Sequence, residues 1–192
     1  MTLPGTWVQL LKRLSRDAAS LERHFFRSVE IRYAHPDDVL TGEGTRRDGG
    51  RFARTGVRAV YLAADEETAL CEVTARKRRL AGRSQIELTD YPRVTYVVEV
   101  KLARHINLAA TMSGGESDKL VSACLTSDIR DSQEVGEFLR GRGVQGILYP
   151  SAEPECKGEN VVVFREVPPE PSLELVNKDG VIALFKEWAK RG

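Results

Sequence analysis

The 192-residue chain has only three cysteines and three histidines. Cys71, Cys124 and Cys156 are odd in number and widely spaced. No CxxC or HxxxH pair joins them to His24, His35 or His105, so no metal site is expected. Such spacing favours reduced thiols over a disulfide framework, and with them a cytoplasmic setting. Long apolar runs are also missing: nothing approaches the ~18–20 residues of a transmembrane helix. Met1 to Gln9 lacks the basic start and apolar middle of a signal peptide. Neither a membrane nor a secretory role is expected. Excess charge is absent too, with 29 basic against 28 acidic residues, a formal charge of +1 and a pI near 7.7. A general nucleic-acid binder usually lies above about 9, so nucleic acid is not an expected partner.

Nucleotide and hydrolase signatures fail as well. No GxxxxGK[ST] string occurs. Gly42 and Gly44 begin a GxGxxG, but Arg47 stands at the third glycine, and the segment precedes a strand instead of following one. A GxSxG nucleophile elbow is absent.

What the sequence does contain is enough for a packed core, since 41% of residues are hydrophobic and this length suits one domain. Helical spacing of Trp7, Leu10, Leu11, Leu14, Ala18 and Leu21 predicts an amphipathic helix over 6–21. A short strand follows from Phe25 to Ile31, then a long glycine-rich loop from Pro36 to Thr55, of a length that is often functional. Val57 to Leu62 reads as a strand. The next helix has Asp65 as its cap, Glu66 and Glu67 at its positive end and Arg76 to Arg79 at its negative end. Alternation from Val94 to Lys101 predicts a strand, and Glu116–Cys124 and Ser132–Leu139 predict helices. Strands follow at Val144–Tyr149 and Asn160–Arg165. Pro168, Pro169 and Pro171 close the core before a terminal helix carrying Val181, Leu184, Phe185 and Trp188. Without regular βαβ alternation this is an α+β pattern. It divides into an N-terminal helix (1–22), a central domain (23–167) and a C-terminal segment (168–192).

The balanced charge conceals a local excess. Between Arg46 and Arg83 stand ten basic and five acidic residues, a net of +5. Arg46, Arg47, Arg51 and Arg54 bring planar donors suited to phosphate oxygens into the glycine loop. Glu72 lies at the border of its helix's apolar stripe, where it is either an i,i+4 partner of Arg76 or a group facing a cleft.

Several blocks then resemble the RES-domain family in order and spacing. They are Phe26–Arg27, Leu40 to Phe52 (LTGEGTRRDGGRF), Val60 to Ala63 (VYLA), Ala69 to Val73 (ALCEV), Gly146 to Ser151 (GILYPS) and Asn160 to Phe164 (NVVVF). The Arg, Glu and Ser of the family's name map to Arg27 or Arg51, Glu72 and Ser151. The resemblance implies an ADP-ribosyltransferase-like mixed β core with flanking helices, acting on NAD. It further implies a toxin that cleaves the nicotinamide–ribose bond by hydrolysis or phosphorolysis, with NAD and inorganic phosphate as reactants. Its expected partner is a cognate antitoxin with an Xre-like domain.

In that chemistry Glu72, Arg51 and Ser151 are the candidate catalytic residues. Glu72 would stabilise the oxocarbenium-like cation, while Ser151 would donate to a ribose or phosphate oxygen. Arg27 and Arg51 are candidates for the pyrophosphate, Arg47 for a further contact to the cofactor and Tyr61 for the nicotinamide ring. Asn160, at a strand start, is a hydrogen-bonding residue beside the cofactor. Transfer of ADP-ribose to a protein or small-molecule acceptor is the alternative reaction. A degenerate nucleotide- or partner-binding module is the alternative without turnover. It draws on departures from the family pattern at Ser28, Asp48 and Phe52–Ala53, where relatives often carry other residues.

Overall fold

The computed structural model describes residues 3–81, 93–112 and 114–189, with side chains described outside 76–81 and 184–189. Six strands and six α-helices follow in the order α1 (Gly5–Arg16), β1 (Ala19–Glu30), α2 (Glu43–Asp48), β2 (Ala59–Ala63), α3 (Glu66–Ala81), β3 (Arg93–Asn107), α4 (Glu116–Cys124), α5 (Arg130–Arg140), β4 (Gly146–Pro150), β5 (Glu159–Phe164), β6 (Ser172–Leu175) and α6 (Lys178–Ala189). The expected α+β class is the observed one.

The strands form one sheet in the order β1-β2-β5-β4-β3-β6, and β1 also pairs with β3. That extra pairing closes the first five strands into a ring. It runs along β1 from Ala19↔His105 to Glu30↔Arg93, whereas β1 meets β2 at the single pair Phe26↔Ala63. Most contacts are antiparallel, and β3 with β4 is parallel.

Alternation along the strands divides two hydrophobic clusters between the sheet's faces. Tyr61, Ile147, Tyr149, Val162 and Phe164 point to one face, where Leu10 and Leu11 of α1, Leu120 and Cys124 of α4 and Val135 and Leu139 of α5 cover them. Val60, Leu62, Leu148, Val161 and Val163 point to the other, against Phe25, Tyr96, Val98 and Val100.

Three local expectations change. The first helix ends at Arg16, with the Asp17 amide donating to the Arg13 carbonyl. Residues 19–30 are extended because β3 pairs with their whole length, which outweighs the helical spacing of Ala18 and Leu21. The glycine loop contains α2, entered and left through Gly42 and Gly49, both at φ 74°. This six-residue helix buries none of its residues, so no apolar periodicity announces it. Beyond the prolines, β6 adds to β3 through Val98↔Leu175 and Val100↔Leu173, and Val181 of α6 reaches the second cluster. Among the described residues no helix is long and apolar enough to cross a membrane.

Candidate functional site

The site forms where β2 ends and α3 begins. Asp65 caps α3 as its residue type suggests: its Oδ1 accepts from the Thr68 amide at 2.7 Å, and its Oδ2 accepts from the Thr68 hydroxyl at 2.8 Å. A carboxylate at this end also meets the positive pole of the helix dipole. The cap sets the helix register and so the position of Glu72. The possible pairing of Glu72 with Arg76 lies outside the described side chains.

Two donors from the sheet converge on one oxygen of Glu72. Ser151 Oγ, just after β4, donates to Oε1 at 2.5 Å. Asn160 Nδ2, at the start of β5, donates to the same Oε1 at 2.6 Å. These residues are neighbours because Tyr149 pairs with Asn160 across β4 and β5, and Ala63 pairs with Asn160 on its other side. The Ser151 hydroxyl also accepts from the Glu153 amide at 3.1 Å. With a lone pair so engaged, its single proton is directed to the carboxylate, the much shorter contact compared with the Glu153 carbonyl at 3.4 Å. The Glu72 carboxyl group is thereby held by two side-chain donors.

Tyr61 and Arg51 belong to the same neighbourhood by a less direct route. The Tyr61 hydroxyl accepts from the Phe52 amide at 2.9 Å, and the Phe52 ring meets the Tyr149 ring edge-on at 4.7 Å between centroids. Burial raises the Tyr149 phenol well above its ordinary value; the nearby Glu72 carboxylate adds to that shift and Arg51 opposes it. Burial likewise raises Tyr61, so both phenols are neutral at physiological pH. Arg51 NH1 donates to the carbonyls of Cys124 at 2.8 Å and Thr126 at 2.7 Å. It therefore supports the C-terminal end of α4, a favourable place for a cation.

Arg27 and Arg47 are placed differently. Arg27 lies opposite Tyr96 in the β1–β3 register and donates from NH1 to the Tyr61 carbonyl at 2.8 Å. Its Nε is buried without a partner among the described residues, and burial pushes its pKa down to about 10. Arg47 sits on exposed α2 and holds the neighbouring Asp48 through two bonds of 2.9 Å. Among the described residues no hydrogen bond or ion pair joins it to Glu72.

Several arginines of the glycine loop and of the segment leading into β2 are paired among the described side chains. Arg46 pairs with Glu43, Arg54 with Glu137 at 3.3 Å and Arg58 with Glu43 at 3.4 Å. Exposed pairs of this kind contribute little to stability.

One sequence expectation is overturned beside Glu72. Cys71 and Cys156 form a disulfide, with their Cα atoms 5.7 Å apart across 85 residues of sequence. Cys124 is free and buried. Sequence spacing carried no signal for this pair, because α3 and the loop after β4 meet only in the folded chain. Tyr149 is the other neighbour that residue-by-residue reading passed over, although it stands two positions before Ser151 in the GILYPS block. Among the described residues no group of His, Cys, Asp or Glu is arranged to hold a metal.

A mixed sheet with flanking helices, and one carboxylate clamped between a helix and two strand ends, defines the class. The RES-domain profile matches residues 24–183, and the chain belongs to the RES-domain family. Among solved structures it is similar to the crystal structure of the M. tuberculosis MbcT–MbcA toxin–antitoxin complex. The identity is 22% and the TM-score 0.66, over 95% of this chain and 98% of that one. No curated protein matches.

Proposed function

We propose that the protein is an NAD-consuming toxin that cleaves the nicotinamide–ribose bond by hydrolysis or phosphorolysis, acts in the cytoplasm and is neutralised by a cognate antitoxin. The observation that carries this reading is the clamp on Glu72. Both donors engage Oε1, and Oε2 accepts no bond among the described residues. That leaves one carboxylate oxygen, fixed in place, for ribose hydroxyls and for the positive charge that develops at the anomeric carbon. Preorganised charge of this kind is often the largest single contribution to catalysis. Family membership supports the substrate, and likeness to a toxin bound to its antitoxin supports the partner.

Ser151 and Asn160 act as positioning residues for Glu72 in this reading. Arg51 supplies positive potential beside the site, and the neutral Tyr61 and Tyr149 give it apolar walls. Arg27 braces Tyr61 through the backbone carbonyl it binds. Water or inorganic phosphate takes the ribosyl cation once nicotinamide has left.

The test is incubation of purified protein with NAD, with and without phosphate, followed by product identification. Free nicotinamide is expected, with ADP-ribose in one case and its 1-phosphate in the other, and both are expected to vanish in Glu72→Gln. ADP-ribose attached to a protein would identify transfer instead. NAD left equally intact by wild type and variant at high enzyme concentration would leave only a binding role.

A further inference from the structure

The loop between β4 and β5 meets α3 and its cap at three points, through a hydrogen bond, a disulfide and a close approach. At its first residue, Ser151 donates to Glu72. Near its middle, Cys156 is joined covalently to Cys71, the residue beside Glu72 on α3. At its end, Gly158 lies so close to the cap of α3 that an added Cβ would come within 1.9 Å of Thr68 Oγ1 and 2.9 Å of Asp65 Oδ2. The loop is closed on itself as well, by the Ser151 amide donating to the Gly158 carbonyl at 2.9 Å and the Cys156 amide to the Glu153 carbonyl at 2.9 Å. The hydroxyl that orients Glu72 therefore belongs to a strap whose one covalent fastening is next door to the carboxylate. Cys156 is buried while Cys71 is partly exposed, which gives a thiol reagent a way to the bond.

We infer that Cys71 and Cys156 are a positioning pair for the Glu72–Ser151 contact, and that their oxidation state governs the site's activity. The inference rests on the NAD-cleaving reading for its catalytic consequence, and on the strap alone for its structural one. With the disulfide closed, Ser151 is held against Glu72. A small dithiol opens it by exchange: its thiolate attacks one cysteine sulfur and expels the other as a thiolate, and its second thiol then resolves the mixed disulfide and frees the first. Two electrons and two protons pass to the protein, which gains two cysteine thiols while the reagent becomes its cyclic disulfide. The strap then keeps only noncovalent contacts, and the serine hydroxyl no longer has a fixed position. Disulfides of cytoplasmic proteins, where they form, are mostly transient and regulatory, and displacement of a catalytic group by about 1 Å can cost ~100-fold in rate.

The experiment compares air-oxidised and dithiothreitol-reduced full-length protein, with the thiol state read by iodoacetamide labelling and mass. Nicotinamide release from NAD and hydrogen exchange over residues 151–158 are followed in each state. Reduction is expected to add two alkylation sites, to speed exchange in the strap and to lower kcat at least about tenfold. Reoxidation restores kcat. Cys156→Ser and Cys71→Ser are each expected to match the reduced protein and to ignore dithiothreitol. Equal exchange in the two states, equal kcat with the disulfide verified, or three free thiols after air oxidation would each overturn the inference. If neither state cleaves NAD, the proposed function fails, while the exchange comparison still decides whether the disulfide holds the strap.

Discussion

Asn160 Nδ2 lies 2.6 Å from Glu72 Oε1, so a residue at the start of β5 holds the carboxylate of a helix 88 positions earlier. Replacing the amide by a carboxylate of the same shape tests this relationship. In Asn160→Asp two carboxylates share the space, and they cannot both ionise without a penalty. One retains its proton at higher pH, so the acidic limb of the pH–rate profile is expected to move upward. Asn160→Ala loses the donor without adding charge and is expected to lower kcat by roughly 10- to 100-fold, with a smaller upward movement of the limb. Nicotinamide release followed across about pH 4–9 separates the two.

The disulfide also acts on the unfolded chain. Cross-linking residues 85 positions apart reduces unfolded-state entropy by an amount equivalent to about 4–5 kcal/mol in the chain-entropy model. Urea unfolding with and without dithiothreitol is expected to show a lower midpoint for the reduced protein. No change would mean that native strain cancels the entropic gain.

Two buried acids should weaken the fold at high pH. Burial pushes the Cys124 thiol up from 9.0 to about 12, with Asp131 adding to the shift. The Tyr96 phenol, which donates to the Ala34 carbonyl at 2.5 Å, is likewise raised from 10.0 to about 12. Both are neutral in the fold where the unfolded chain would already ionise. Their stabilising contribution is complete below pH 9 and lost progressively between about 9 and 12. Urea midpoints at rising pH are expected to fall in that window, and less steeply in Cys124→Ala. Native Cys124 is expected to resist iodoacetamide at pH 8 and to react on unfolding.

Gly136 of α5 is placed against the segment that carries Arg51. A Cβ there would stand 1.9 Å from the Phe52 carbonyl oxygen, and that oxygen belongs to backbone that cannot rotate away. Gly136→Ala is expected to cost about 1–3 kcal/mol by overpacking and to disturb Arg51, whose carbonyl accepts from Ser132 Oγ at 2.6 Å. Gly44 offers a control. Nothing lies within 4 Å of its added Cβ, and alanine is favoured over glycine within helices by about 1 kcal/mol. Thermal unfolding of the two variants should move in opposite directions.

Local rules explain why parts of this structure were readable from sequence. Helix α4 has the expected bounds, Glu116–Cys124, because its capping region and apolar spacing lie within a few residues. The Asp65 cap is likewise a matter of three neighbouring positions. Strand β3 extends beyond its alternating run to Asn107, since pairing partners on both sides lengthen it.

Long-range features were not written in any window. Arg51 had the right residue type for a phosphate donor, yet its NH1 lies on the carbonyls that end α4. Tyr61 had the character of a strand aromatic that could pack on a nicotinamide ring, yet its hydroxyl is engaged by the Phe52 amide. Cys71 and Cys156 carried no spacing signal at all.

The sequence by itself determined the α+β class, most element positions and, through ordered blocks, the family with Glu72 and Ser151 as its chemical candidates. Tertiary structure alone decided that Glu72 meets both Ser151 and Asn160, that Arg47 stands apart on an exposed helix, and that two distant cysteines join beside the carboxylate. The reason is physical: helices and caps follow from interactions within a few residues, whereas the contacts of Glu72 depend on strands β2, β5 and β4, distant in sequence, lying side by side. Even the scarcity of cysteine changed its meaning. Three scattered residues suggested idle thiols, and folding turned two of them into the fastening of the loop that carries Ser151.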